Sequence, residues 1–505
     1  MLGIALDFRA SPLIRHASHA TFSRKREKGA RGSGNSMAST DRAGTWRELR
    51  ASGALGRFAV LCLGVWLHAA DSLVTATIVP GIVHDIGGIA YVAWTIALYQ
   101  VGAVVAGSAT AMLSQRIGLK RVLFAGAMLY GLGCIVGALA PSMAVLLGAR
   151  FLQGIGGGML ISVSYVAIQQ SFPEHVWGRL FGVEAMIWGT GSLLGPLIGG
   201  LFAHFGAWRW VFWCFALQAG LLCLLASVLL PAQPGRKTAE AWPLLPLLGI
   251  STATLLIAEA GVARQTALSV ALCLAGVGLL YAALRLDQSA RSARLLPAGA
   301  LAFGHPLGAG LLAVFALAVS TTGFWTYGPL ILKVMFGIEP LVAGYILALE
   351  SIAWSAATMV LGGMAPIRDR WLIRLGAVLV TAGSAGFAIA VPSGSLAGMV
   401  ACALMQGLGF GVSWPSIVRR TVGFAAVGEG ALAAAAPGTV QRIGYGVGAA
   451  ATGIAANASG LADAITVPAA RAAGFWVFAG LVPALAVALV AAWRFTGKAP
   501  SGRGE

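Results

Sequence analysis

Long apolar stretches separated by short polar segments dominate the chain from residue 58 onwards. Fourteen of these stretches hold about 20 residues, which is enough for an α-helix to cross the hydrocarbon core of a bilayer. They lie near residues 58–80, 92–113, 122–140, 145–168, 181–204, 209–231, 242–261, 266–284, 307–331, 341–363, 372–391, 395–415, 434–457 and 473–493. The pattern predicts an all-α polytopic membrane protein with 14 transmembrane helices.

One ten-residue phrase occurs twice in the chain, with an offset of 253 positions. The first copy is FLQGIGGGML, residues 151–160, and the second is LMQGLGFGVS, residues 404–413. The offset maps span 4 onto span 12 and span 5 onto span 13. We therefore predict two pseudo-symmetric six-helix bundles plus an inserted two-helix pair, a duplication typical of carriers whose substrate site lies between the halves.

The repeat and the polar segments divide the chain into five parts. We expect a disordered basic cytoplasmic tail at 1–57, a first bundle at 58–231, linkers with the inserted pair at 232–306, a second bundle at 307–494 and a cytoplasmic tail at 495–505. The first tail lacks the apolar core of a secretory signal. Met37 opens an ordinary cytoplasmic leader, and we expect translation to start there.

Composition and charge agree with a chain embedded in lipid. Only 10% of the residues are charged, whereas soluble domains carry roughly 25%. With a cytoplasmic N-terminus, the short inside loops and C-terminal tail hold 17 of the 34 Lys and Arg residues, and the outside loops hold four. This bias predicts that both termini are cytoplasmic, in a cell membrane of the bacterial inner-membrane type. It also accounts for the net charge of +17 without a nucleic-acid partner.

Four local motifs stand in the first bundle. Span 1 carries DSLVTATIVPGI from Asp71, and span 4 opens with RFLQG from Arg150. Span 5 ends in GTGSLLGPLIGG, where small residues offer a close-packing face and a proline perturbs the helix. The loop after span 2 reads SQRIGLKR. The motif positions are Gly191, Gly195, Pro196, Gly199 and Gly200 in span 5, and Arg116, Gly118, Lys120 and Arg121 in this loop.

Together these motifs resemble the major facilitator superfamily, and within it the fourteen-helix branch of drug:proton antiporters. The resemblance implies that the Gly-Pro element marks an antiporter and that Arg150 takes part in proton transfer. The chain departs from the family pattern at Gln115, where an acid is usual, and at Leu119, where a further basic residue is usual. We therefore expect the cytoplasmic charge relay of this family to be weaker or absent.

Three charged residues inside the predicted spans are candidates for proton coupling, because a charge at mid-bilayer costs roughly 2.5–3.5 kcal/mol and needs a reason. Asp71 and Arg150 have similar depth, which permits a pair in which Asp71 carries the proton and Arg150 tunes it. A fixed ion pair that only joins the two spans is the alternative. Glu350, in the middle of span 10, is a second candidate, with an interhelical hydrogen bond as its alternative.

Other polar and aromatic residues are assigned to the cavity or to the membrane interface. Gln153, Gln406, Tyr99, Trp325 and Trp354 are candidates for contact with a substrate, although interhelical hydrogen bonds and interfacial anchoring would also explain them. We expect Glu184 to be an interfacial group, near the start of span 5. We expect Arg442 to face the cytoplasmic mouth without a charged counterpart, because the repeat places it opposite Gly189.

These observations predict a proton-coupled secondary transporter that works by rocking of two bundles. The favoured version is antiport, in which small amphiphilic organic compounds or drugs leave as protons enter. The alternative is proton-coupled or facilitated uptake of a small nutrient such as a vitamin. The sequence contains no Walker A, HExxH or nucleophile-elbow motif, so we expect no enzyme, cofactor or metal site. We expect a monomer whose partners are lipid, protons and a small molecule.

Overall fold

A computed structural model describes the membrane-embedded part of the chain. The described residues are 53–172, 174–231, 244–263, 265–290, 294–361, 364, 366–426, 429–461, 463 and 465–497. Residues 1–52 of the predicted N-terminal tail, including Met37, the first linker and most of the C-terminal tail therefore lie outside them.

Every regular element in the described part of the chain is helical. The α-helices are α1 Ala54–Ile86, α2 Val92–Ile117, α3 Leu119–Ala138, α4 Met143–Ser171, α5 Glu174–His204, α6 Trp208–Leu229, α7 Leu244–Ala260, α8 Thr266–Ser289, α9 Pro306–Phe336, α10 Pro340–Leu361, α11 Asp369–Ala390, α12 Leu396–Gly423, α13 Gly430–Ala458, α14 Val467–Ala479 and α15 Val482–Thr496. Two short 3-10 turns, Ile89–Tyr91 and Pro366–Arg368, precede α2 and α11. The all-helical membrane fold predicted from the apolar pattern is confirmed.

The predicted number of spans is not confirmed. Among the described residues, 12 helical segments are long and apolar enough to cross a membrane. α7 is too short for that set, with 17 residues, and α13 is absent from it although it has 29. α13 is rich in alanine and glycine, which lower its hydropathy and suit a helix packed against other helices.

The last predicted span is broken in the structure. α14 and α15 together form one apolar segment, Val467–Thr496, but regular helix stops at Ala479 and resumes at Val482. Pro483 lies in the first turn of α15, where its missing N–H is tolerated. The span predicted near 473–493 falls within this apolar segment.

The two halves of the chain build bundles with the same helix pairing. In the first bundle, α4 packs against α2 and α3, and α1 packs against α5. In the second bundle, α12 packs against α10 and α11, and α9 packs against α13. The inserted α7 and α8 pack against each other, and α7 also contacts α2 and α13, so it touches one helix of each bundle.

The bundles meet closely at the end that carries the α1–α2 loop, which we call the joined end. A Cβ placed on Gly200 of α5 would lie 2.8 Å from the Cβ of Leu341, on α10. Asn457 of α13 donates from Nδ2 to the carbonyl oxygens of Ala90, at 2.9 Å, and Gly261, at 3.0 Å. This one amide therefore links the second bundle to the first bundle and to the insert.

We predict that Gly200→Leu destabilises the protein because the joined end has no room for a side chain there. Overpacking of a well-packed contact costs typically about 1–3 kcal/mol. The measurement is the thermal unfolding midpoint of the purified protein in detergent. Gly220→Leu is the matched control, since a Cβ on Gly220 of α6 would meet nothing within 4 Å. Equal midpoints for the two variants would contradict the packing described above.

Candidate functional site

The glycines of the first repeat copy bring α4 into near backbone contact with both neighbouring helices. Gly154 lies against the backbone of Tyr99 on α2, where a Cβ would come within 2.9 Å of the Tyr99 Cα. Gly156 lies against α3 on the other side, where a Cβ would come within 2.6 Å of the carbonyl oxygen of Gly126. α4 is thus held between α2 and α3, and its polar residues Arg150 and Gln153 are carried into the bundle interior.

The glycines of the second repeat copy also make close backbone contacts, but the residues that they contact differ chemically from those of the first copy. Gly407 of α12 lies against the carbonyl oxygen of Glu350 on α10, and Gly409 lies against the carbonyl oxygen of Gly376 on α11. Gly407 corresponds to Gly154 in the repeat, so the second bundle holds Glu350 where the first bundle holds Tyr99.

Asp71 of α1 and Arg150 of α4 form a buried ion pair. Arg150 Nη1 donates to Asp71 Oδ1 at 3.0 Å and to Oδ2 at 2.8 Å. The two side chains are only 2% and 3% exposed, respectively. The structure therefore brings these two sequence-predicted residues together at a depth that excludes water.

Arg150 has three further partners, and none of them is charged. Nη1 donates to Gln153 Oε1 at 2.9 Å, Nε donates to the carbonyl oxygen of Thr95 at 3.3 Å, and the guanidinium lies 4.5 Å from the centre of the Tyr99 ring. Gln153 in turn donates to Cys134 Sγ at 3.1 Å. The guanidinium would keep these partners if Asp71 were to take up a proton.

Tyr99 also connects this network to α1 and α5. Its hydroxyl lies 2.7 Å from His68 Nδ1, and the two rings are stacked. The His68 ring also contacts the Trp188 ring edge-to-face, with 5.7 Å between the ring centres. Tyr99 was expected to be a substrate contact, and the structure places it 2% exposed beneath the arginine.

Glu350 is buried in the second bundle with a neutral partner. Trp325 of α9 donates from Nε1 to Glu350 Oε2, and the glutamate is 3% exposed. None of the ion pairs formed by the described residues includes it. Burying a carboxylate without a cation partner costs free energy, and protonation of the carboxylate removes that cost.

The remaining predicted cavity residues differ in exposure. Gln406 is fully buried: Nε2 donates to Ser384 Oγ at 2.7 Å, and Oε1 has no hydrogen-bond partner among the described residues. Gln153 is fully buried as well. Trp354 is half-buried and stacks on Phe410 with 4.7 Å between ring centres. In this conformation the two tryptophans, Trp325 and Trp354, are therefore more accessible than the two amides.

Glu184 is a buried acid whose depth was misjudged from the sequence. It is 2% exposed, accepts a hydrogen bond from Ser164 Oγ, and has a second oxygen without a partner in the described part of the chain. The expectation of an interfacial group is wrong because α5 begins at Glu174, so Glu184 lies roughly 15 Å along the helix. The amphipathic residues before 181 could have indicated that this helix starts earlier in the chain.

The Gly-Pro element lines the contact between α5 and α1. A Cβ on Gly191 would lie 3.4 Å from the α1 backbone, and one on Gly199 would lie 2.9 Å from the carbonyl oxygen of Val74. Gly195 is buried between them, and Pro196 lies inside the helix opposite Gly344 of α10. This face thus contacts its own bundle and, near the joined end, the other bundle.

The loop between α2 and α3 lies at the opposite end from the joined end. Gly118 joins the two helices with a φ of +88°, a conformation that favours glycine. Lys120 donates from Nζ to the carbonyl oxygen of Ser227 at the end of α6, at 2.6 Å. Arg116 and Arg121 are exposed on this surface.

The space between the bundles opens away from the joined end. Two hydrogen-bonded contacts between the bundles, Asn457 with Ala90 and His204 with Glu339, lie at the joined end. Tyr165, near the other end of α4, interacts electrostatically with Arg442 on α13 and is 39% exposed. A side chain that faces the other bundle and is still accessible indicates a gap at this depth.

Comparison with known proteins gives a family match over most of the chain. The model of the Major Facilitator Superfamily matches residues 61–449. A Mycobacterium tuberculosis protein named probable multidrug-efflux transporter is 32% identical over 429 residues, covering 82% of this chain and 90% of the relative. Multidrug resistance protein 3 of Bacillus subtilis is 33% identical over 153 residues, covering 30% of each chain.

Solved structures show the same fold at low sequence identity. A D-xylose-proton symporter superposes with a TM-score of 0.62 at 17% identity, covering 90% of this chain and 99% of the other. A transporter of the POT family in complex with 5-aminolevulinic acid gives 0.63 at 15% identity, covering 87% and 96%.

We predict that Arg150→Ala destabilises the protein because it leaves the Asp71 carboxylate buried without a cation. Removing one partner of a buried pair costs about 3–5 kcal/mol, so the thermal unfolding midpoint in detergent should fall clearly. The double variant Asp71→Ala/Arg150→Ala should be more stable than Arg150→Ala alone. Arg209→Ala, which breaks the exposed pair with Asp85, should shift the midpoint much less.

A double variant as unstable as Arg150→Ala would mean that the arginine acts through its neutral partners rather than through Asp71. That result would remove the ion pair from the description of the site.

Proposed function

The chain belongs to the major facilitator superfamily, and on that premise we propose that it is a proton-coupled antiporter that exports small amphiphilic organic compounds, drugs among them. As a member of this family it is a multi-pass membrane transport protein and not an enzyme. The observation that carries the proposal is the buried Asp71–Arg150 pair, in which the arginine also donates hydrogen bonds to neutral partners. The name of the M. tuberculosis relative supports efflux, and that of the B. subtilis relative, a multidrug resistance protein, supports drugs as substrates.

We place the protein in the cell membrane, of the bacterial inner-membrane type, with both termini cytoplasmic and the joined end outside. Lys and Arg are concentrated at the opposite end, where Arg116, Lys120 and Arg121 lie, as cytoplasmic loops require. The described conformation then opens to the cytoplasm. A single chain contains both bundles, so we propose a working monomer whose partners are the bilayer, protons and the transported compound.

In the proposed cycle, the proton binds to the carboxylate of Asp71. Protonation removes the negative charge from α1, and Arg150 stays bound to Gln153, to the Thr95 carbonyl and to the Tyr99 ring. The attraction between α1 and α4 weakens while the guanidinium remains solvated by protein. The proton is released on the cytoplasmic side when the pair forms again, and the cycle is then driven by the proton gradient.

Glu350 provides a second protonation site in this proposal. Its backbone carbonyl is the contact point of Gly407, so a change at this residue acts directly on the α10–α12 packing. Trp325, its hydrogen-bond donor, and Trp354, one turn further along α10, are half-buried and would lie beside a compound in the cavity. Gln406, with its unpaired carbonyl oxygen, would join them when the bundles rock apart.

We predict that Asp71→Asn abolishes proton-driven accumulation and retains substrate exchange, because exchange needs no net proton movement. The assay uses everted membrane vesicles with a preset pH gradient and a panel of antibiotics and dyes. Compounds that dissipate the gradient in the wild type should leave it unchanged in the variant, as in vesicles without the protein. Asp85→Asn is the matched control, since it makes the same change on the same helix at an exposed position.

Full gradient-driven accumulation by Asp71→Asn would remove Asp71 from the mechanism. Movement of compound and proton in the same direction would replace antiport by symport, the nutrient-uptake alternative. Glu350→Gln tested in the same vesicles separates a second proton from a structural hydrogen bond, because glutamine keeps an acceptor for Trp325 but cannot titrate.

A further inference from the structure

Arg442 places a positive charge between the two bundles without a counter-charge among the described residues. It lies near the middle of α13 and is half-buried. Five ion pairs are formed by the described residues, and Arg442 takes part in none of them. The sequence predicted that Arg442 faces the cytoplasmic mouth without a charged counterpart, and the structure places it half-buried at the interface between the bundles.

The groups around Arg442 do not supply the missing negative charge. The titratable side chains that interact with it are Tyr99, Tyr165 and His68, and none of these is an anion near neutral pH. Asp71 is held by Arg150. An uncompensated guanidinium inside the membrane region is costly, and such residues commonly mark the path of a ligand.

The first bundle leaves space for the guanidinium. A Cβ placed on Gly107 of α2 would lie 3.7 Å from Arg442 Nη1 and 2.9 Å from Ser162 Oγ on α4. The arginine therefore reaches across the interface to a point beside a hydroxyl of the first bundle. At 3.7 Å the guanidinium is in ordinary van der Waals range of this position of α2.

The approach to Arg442 is restricted to one side. On the insert side, Gln100, Ile250, Ser251 and Thr254 surround a crevice of about 10 Å³, which holds roughly one water molecule. On the other side, Tyr165 is 39% exposed in the space that opens away from the joined end. On the side of Tyr165, a ligand group can reach the guanidinium from this open space.

We propose that Arg442 binds an anionic group, a carboxylate in the first instance, of the compound that the protein exports. The planar guanidinium matches a carboxylate with two parallel hydrogen bonds, Ser162 can donate a third, and the Tyr165 ring offers a flat apolar contact. This inference rests on the proposed transport function and names its substrate class: amphiphilic organic anions and zwitterions with an acidic group.

The test is equilibrium binding to the purified full chain in phosphatidylcholine nanodiscs, without a pH gradient. The probes are dansylglycine and dansylglycinamide, which differ only by the carboxylate, and binding is followed by dansyl fluorescence. The wild type should bind the carboxylate at least about tenfold more tightly, which corresponds to about 1.4 kcal/mol. Arg442→Gln should lose this preference, and Arg442→Lys should retain part of it.

Two controls show that the effect belongs to this residue. Arg471→Gln removes an exposed arginine on α14 and should keep the preference. Arg442→Gln should unfold at the same or a higher temperature than the wild type, since it removes an unpaired charge. A preference that survives Arg442→Gln, equal affinities in the wild type, or no binding of either probe up to about 1 mM would each overturn the proposal.

A lipid phosphate is the other source of the same chemistry, and a second arm of the experiment distinguishes it. Nanodiscs containing phosphatidylglycerol should leave dansylglycine affinity unchanged. Displacement of the probe by this lipid from the wild type but not from Arg442→Gln would assign the guanidinium to a lipid headgroup and overturn the proposal. Binding is measured without a pH gradient, so its outcome does not depend on proton coupling. The vesicle assay could therefore contradict antiport while anion binding at Arg442 is still observed.

Discussion

Backbone contact at the repeated glycines is the constraint on which the rest of the structure depends. Gly154 and Gly156 fix α4 between α2 and α3, and Gly407 and Gly409 fix α12 between α10 and α11. Such contacts tolerate no side chain, so they set the rotation and depth of the helix that carries them. The depth of Arg150 follows directly, because it lies one turn before the first of these glycines on a helix that cannot rotate.

A symmetric scaffold thus carries asymmetric chemistry. The first bundle holds a charged pair, Asp71 with Arg150, whereas the second holds Glu350 with an indole and no cation. Arg442 has only Gly189 as its repeat counterpart. In the proposed mechanism, protonation would break the Asp71–Arg150 pair in the first bundle, whereas in the second bundle it would neutralise an acid that has no cation partner.

The sequence predicted those features that follow from spacing and failed where depth or context decides. The repeat offset and the apolar runs indicate the bundles, and similar depth suggested that Asp71 and Arg150 could meet. The burial of Glu184 could not be obtained in this way, because polar residues at the start of α5 concealed about two turns of helix. Arg442 lies beside Gly107 of the other bundle, and no local sequence pattern records a contact between residues so far apart in the chain.

The inserted helices determine from which side the interface can be entered. α7 lies along the seam between α2 and α13, where Trp94 donates to the carbonyl oxygen of Ala258 and Thr254 lies beside Gly446. A seam left open at this depth would expose the guanidinium of Arg442 sideways to the membrane. With α7 in place, the charge faces protein on the insert side and an accessible space on the other. The insert therefore does more than add helices. It covers one side of the Arg442 guanidinium, so that a ligand approaches from the other side.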